Sequence, residues 1–159
     1  MSDSSASRLI PPASLTRESA SFLPAELCRR VQYTIDDLEA PAFVRAVLLT
    51  LLDLTDPRLG GKTTVTLFEI QHHLEKIRDL YLSDRLIKQA VKVLVETHGI
   101  AIGSARGAEH GYYFVTTDEQ AQKAVKPLLG EIRSLVVRCR ALSPKSRYIQ
   151  HLLGQTEVL

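Results

Sequence analysis

The stretch from Thr66 to Thr116 constrains the fold more than any other part of this 159-residue chain. Thr66-Leu67-Phe68-Glu69 has the form of a capping box, in which a threonine oxygen accepts from the amide three residues on and the glutamate reaches back. Ser83 followed by Asp84 gives a second helix start, a hydroxyl cap with a carboxylate in the first turn. Leu67, Ile70 and Leu74 recur at helical spacing after the first signal, and Leu86, Ile87, Ala90, Val91, Leu94 and Val95 form the expected buried side after the second. Gly99 closes the second helix as a C′ glycine. Two β-prone runs, 100–104 and 111–116, follow at once, separated by Ala105-Arg106-Gly107-Ala108-Glu109-His110, which reads as a hairpin with a polar tip. Two short capped helices leading straight into a hairpin place the chain in the mainly α (α+β) class.

The flanks complete the outline. Upstream, Pro41 suits a first helical turn, and Phe43, Val44, Val47, Leu48, Leu51, Leu52 and Leu54 make a broad apolar face that ends by Asp56-Pro57. Leu59-Gly60-Gly61-Lys62 is a loop, and Thr63-Thr64-Val65 a very short strand. Lys76 to Leu82 connects the two capped helices, with Leu80 and Leu82 facing inward. Residues 1–24 hold seven serines and three prolines and read as a flexible arm; residues 25–40 read as a strap or a short helix. Residues 41–117 make the main domain. Downstream, Thr117-Asp118-Glu119-Gln120 repeats the capping pattern and opens a long helix to about Leu142, kinked at Pro127; Ser143-Pro144 stops it, and Tyr148 to Leu153 makes a last short helix.

Charge matters through its distribution. The net value is only +2, yet residues 123–159 hold seven Lys and Arg against two Asp and Glu, so the positive excess lies in the last quarter. Cys28 and Cys139 match no metal or CxxC spacing, which predicts a reduced, cytoplasmic protein. The first residues lack the basic start and apolar core of a signal peptide, and no apolar run approaches the roughly 20 residues that span a bilayer. Gly60-Gly61-Lys62-Thr63 has Asp56 where a phosphate loop needs its first glycine. His72 and His73 point about 100° apart on a helix and cannot share one metal. No catalytic constellation stands out, so the expectation is no enzyme, no cofactor and no metal.

The string Glu96-Thr97-His98-Gly99-Ile100-Ala101-Ile102-Gly103-Ser104, followed by Gly111-Tyr112-Tyr113-Phe114, is similar to the helix end and two wing strands of many prokaryotic winged helices. With the preceding pair of helices, residues 41–117 resemble a winged helix-turn-helix DNA-binding domain of bacterial and bacteriophage type, over roughly half the chain. The resemblance implies a recognition helix at 83–98, a β-wing at 100–116, double-stranded DNA as partner, and a role in transcription or replication control. The residues agree: Arg85, Lys88, Gln89 and Lys92 share the helix face turned away from the core, and these types suit base edges in a major groove or phosphate oxygens. A charged outer face is equally what any amphipathic helix shows to water. Arg106 and His110 are the wing-tip contacts; Thr64 and Thr66 are candidate phosphate clamps beside a helix start. Tyr112 and Tyr113 alternate, one in the core and one partly exposed. The alternative is a winged helix that contacts other proteins within a larger assembly without reading DNA.

The long helix carries its own signal. Val125, Ile132 and Cys139 recur every seven residues, as do Leu128, Leu135 and Leu142, with Leu129 and Val136 widening the seam. Residues 118–159 therefore read as a basic C-terminal dimerisation segment, a coiled-coil helix in a homodimer with Cys139 near its mate; the other reading packs the stripe on the chain's own first helix. Lys123, Lys126, Arg133, Arg138, Arg140, Lys145 and Arg147 decorate the remaining faces and offer contacts to phosphate, to an acidic protein partner, or only to water. The ending Gln155-Thr156-Glu157-Val158-Leu159 is loosely similar to sliding-clamp peptides but lacks their terminal aromatic.

Overall fold

The computed structural model describes residues 20–108, 110–142 and 147–156. Most of the serine-rich arm, Glu109 at the wing tip, the Ser143-Pro144 stop with Lys145, and the final three residues lie outside the described residues. The chain is mainly helical with one small antiparallel sheet, and it divides into two compact units, Met1–Thr117 and Asp118–Leu159.

In the first unit, α1 (Ala25–Asp36) is followed by α2 (Ala42–Thr55), and α2 is the centre of the core. Every residue from Val44 to Leu52 is buried, and α1, α3 (Leu67–Arg78) and α4 (Asp84–Glu96) pack around it. A helix covered on all sides needs apolar residues all round, which is why its stripe is so broad. Thr50 and Arg45 are the exceptions, and the Arg45 guanidinium Nε and Nη1 find no hydrogen-bond partner among the described residues.

Residues 25–40, read as a strap or a short helix, contain the helix α1, and that helix takes part in the core. Leu27, Val31 and Ile35 stand one helical turn apart on α1 and are buried, and Ala20 and Leu23 join the same core. Ala20 and Leu23, read as part of the arm, thus belong to the packed chain. Arg30 Nη1 donates to the Gly99 carbonyl at 2.9 Å, which ties α1 to the end of α4.

α2 ends at Asp56, whose carboxylate accepts from the Arg58 amide at 2.9 Å and from its guanidinium at 2.7 Å, and so caps a single 3-10 turn, Pro57–Leu59. The Arg58 hydrogen bonds hold the Asp56 carboxyl below its ordinary range against the opposing effect of burial. α3 runs to Arg78, further into the expected connector, because Arg78 and His73 both reach Asp53 of α2, at 2.7 and 3.2 Å. Asp79 then turns left-handed, and the Leu80 amide closes on the Leu74 carbonyl.

On α4, Ile87, Ala90, Val91 and Leu94 are buried as expected, whereas Leu86 and Val95 are 38% and 39% exposed. At 100° per residue these two lie about 90° from the centre of the buried face, on opposite sides, beyond the reach of the covering helices. Ile100 also departs from expectation. Its side chain is fully buried and its amide bonds to the Leu94 carbonyl, so it finishes the helix rather than starting the strand.

β1 is therefore Ile102–Ala105, paired with β2, Gly111–Phe114, from Ile102↔Phe114 to Ala105↔Gly111. The short strand read at 63–65 reduces to one bridge, in which Val65 and Tyr112 exchange two 2.8 Å hydrogen bonds on the other edge of β2. Tyr113 is buried and Tyr112 half-buried, but it is Tyr112, on the same strand face as Phe114, that packs on the hydrophobic core. Gly103 lies under the Tyr113 ring, where an added Cβ would come within 2.5 Å of it. Gly111 has φ +143°, and a Cβ there would meet the Val65 carbonyl oxygen at 2.5 Å.

The second unit consists of α5 (Asp118–Leu142) and α6 (Arg147–Thr156), which contact each other. α5 extends to Leu142 as expected, with Pro127 inside it, and none of its residues is buried. No helix among the described residues is long and apolar enough to cross a membrane.

Candidate nucleic-acid interface

A cleft of about 720 Å³ opens where the start of α3, the first turns of α4 and the hairpin come together. Phe68, Asp84, Lys88, Arg106, His110 and Tyr112 are among the residues that line it. The β1–β2 pairing carries Arg106 and His110 back toward α4, and the Val65 bridge anchors that hairpin beside the α3 cap. Lys88 of α4 and, from the distant hairpin tip, Arg106 and His110 thus face one hollow. A second hollow of about 550 Å³ shares Thr66 and His110 with the first and adds Lys62, Thr64 and Glu69.

Arg85, Gln89 and Lys92 are exposed on the outer face of α4 but do not line the cleft. Lys92 Nζ stands 3.9 Å from Glu96, which offsets part of its charge. Lys88, Arg85 and Arg106 make no ion pair among the described residues.

Thr66 is placed differently from the expectation of a phosphate clamp. Its amide and its hydroxyl both donate to Glu69 Oε2, at 2.8 and 2.9 Å, and its oxygen accepts from the Glu69 amide at 3.2 Å. The Lys62 ammonium pairs with the other carboxylate oxygen. Burial alone would push the Glu69 carboxyl up, but the Lys62 and Thr66 donors outweigh it and hold the group below its ordinary value. The anion position at this helix start is therefore filled by the chain's own carboxylate. Thr64 is half-buried, with its methyl turned toward Gly111.

Three lining residues escaped the reading of the sequence. Phe68 is 74% exposed and stacks on His72, with ring centroids 6.1 Å apart and planes at 15°. Its position was legible, because Leu67, Ile70 and Leu74 define the covered face and leave residue 68 off it. Asp84 counted only as a helix-start charge, yet it also brings a carboxylate to the cleft. Burial, and then the nearby Asp84 charge, raise the Tyr112 phenol above its ordinary value, so it stays a neutral donor.

The expected dimer residues Val125, Leu128, Ile132, Leu135, Cys139 and Leu142 are all exposed on α5. Cys28 and Cys139 are both free thiols, and no group of three His, Cys, Asp or Glu side chains able to hold a metal occurs among the described residues. Comparison of the chain with protein-family models, with curated proteins and with solved structures found no match.

Proposed function

We propose that this chain is a winged-helix DNA-binding protein, homodimeric through α5, that acts in the control of transcription or replication. The observation that carries the reading is the convergence of Lys88 from α4 with Arg106 and His110 from the hairpin around one cleft. A helix face bearing Arg85, Lys88 and Gln89 meets base edges or phosphates in a major groove, while the hairpin reaches the adjoining backbone. Phe68, exposed at the cleft, supplies an apolar surface for a thymine methyl or a sugar. Few cations are involved, so the electrostatic share of affinity is modest and specificity rests on base contacts.

The second reading, a winged helix that binds protein, is favoured by one feature: Asp84 and exposed Phe68 line the same cleft, a pairing of acid and aromatic that suits a basic, apolar peptide better than phosphate. A titration of duplex genomic fragments with the full chain, at ionic strengths from about 50 to 200 mM, separates the two. A DNA reader loses affinity as salt rises, and Lys88→Ala and Arg106→Ala each weaken binding and flatten the salt slope by about one. No binding at the lowest salt rejects the DNA reading.

A further inference from the structure

α5 bears an exposed apolar seam. Val125, Ile132 and Cys139 form one column and Leu128, Leu135 and Leu142 the other, and the five apolar members are between 45% and 83% exposed. A repeat of 3.5 residues keeps one narrow stripe facing a second helix alongside, so the seam calls for a helix as its occupant. Which helix, and in which direction, is written in the flanking positions. One flank holds Glu131 and Arg138; the other holds Leu129 and Val136. Glu131 and Arg138 are seven residues apart, roughly 10 Å along the axis, too far to pair within one helix.

Direction decides what these flanks meet. Between parallel copies, the charged flank of one helix faces the apolar flank of the other, and Glu131 is set against Val136 with no opposite charge to answer it. Between antiparallel copies, like flanks face each other. With Ile132 opposite Leu135 of the second copy, Leu128 falls opposite its Cys139 and Val125 opposite its Leu142, so every seam residue is matched. In that register Glu131 meets Arg138 of the second copy twice over, and Leu129 meets its Val136 twice over. A slide of one heptad in either direction unpairs the ends of the seam and sets Glu131 against Glu131, or Arg138 against Arg138. Pro127 and Gly130, the residues least suited to a helix, both fall outside the seam and its flanks.

We propose that α5 pairs antiparallel with α5 of a second copy of this chain, about a twofold axis between Arg133 and Ser134, with Glu131 and Arg138 exchanged across the interface. The proposal deepens the homodimer reading and is independent of DNA binding. It also moves Cys139 away from its mate and places it against Leu128 of the second copy.

The test uses the full chain without DNA. Molecular mass is read first, by light scattering and sedimentation over a wide concentration range, and a dimer is expected. Glu131→Arg and Arg138→Glu should each weaken dimerisation about tenfold or more, and the double variant that carries both should restore it, with helical content as the check on folding. In a Cys28→Ser background, Leu128→Cys should cross-link under mild oxidation as 128–139 disulfides between copies, identified by peptide mapping. A monomer at every concentration overturns both the homodimer reading and this proposal. A dimer that cross-links through Cys139 to Cys139, or whose double variant is no better than the single ones, overturns the antiparallel pairing and leaves the homodimer standing.

Discussion

α2 and α5 are both helices with apolar residues at helical spacing, and they meet opposite fates within one chain. α2 buries every residue from Val44 to Leu52, while α5 buries none. The difference lies in the shape of the stripe. On α2 the apolar residues spread around the helix, which only a core with neighbours on several sides can cover. On α5 they keep, Val137 apart, to a seam with a seven-residue repeat and cations on the outer faces, which one partner helix can cover. An apolar face reports that something will be covered; its width and period report by what.

Substitutions can break or sharpen this contrast, the largest effect first. Leu48→Ala removes a fully buried side chain from α2 and should cost about 2–5 kcal/mol, seen as a lower midpoint in chemical denaturation. A loss well under 1 kcal/mol would mean that the α2 core is looser than its burial implies. Gly111→Ala forces a side chain into a positive-φ position and against the Val65 carbonyl oxygen, and should cost about 1–3 kcal/mol in the same measurement. Thr66→Ala removes the hydroxyl that caps α3 and should cost about 0.5–2 kcal/mol in the same measurement. At Glu69 of the same cap, and at Asp56, the folded carboxyls titrate below their unfolded values, 4.5 and 3.8. Their contribution is present above those values and fades as the pH falls through and below them, so stability measured from pH 6 to pH 2 should drop on the acid side. Leu135→Ala is the smallest: in dilute, monomeric protein it should change the stability of the first unit, read from the denaturation curve, by no more than about 0.5 kcal/mol. A loss as large as that of Leu48→Ala would erase the distinction between the two helices.

Much of the fold was legible because local signals agreed with tertiary ones. The Thr66–Glu69 box, the Ser83 cap and the end of α2 at Asp56 each rest on side-chain chemistry within a few residues, and each is present. The misses share another cause. Leu27, Val31 and Ile35 have correct helical spacing, but Glu26, Arg29, Arg30 and Gln32 dilute the signal, and only the surface of α2 makes burial of that face worthwhile. Leu86 and Val95 sit at the margins of a face whose width is set by neighbouring helices rather than by α4 itself. At the cleft, Lys88, Arg106 and His110 were identifiable as exposed polar side chains, whereas their convergence depends on the hairpin register, and the occupation of Thr66 depends on Lys62 supporting Glu69 from a preceding loop.

The openness of α5 has a consequence for quantity rather than shape. A helix with proline and glycine inside it, and with no buried residue of its own, gains most of its order from the helix that covers it. Paired as proposed, its folding is a second-order event, so the share of chains with an ordered tail rises with copy number. A scarce protein would then exist as single chains and an abundant one as coupled pairs, and expression level itself would set the balance between the two.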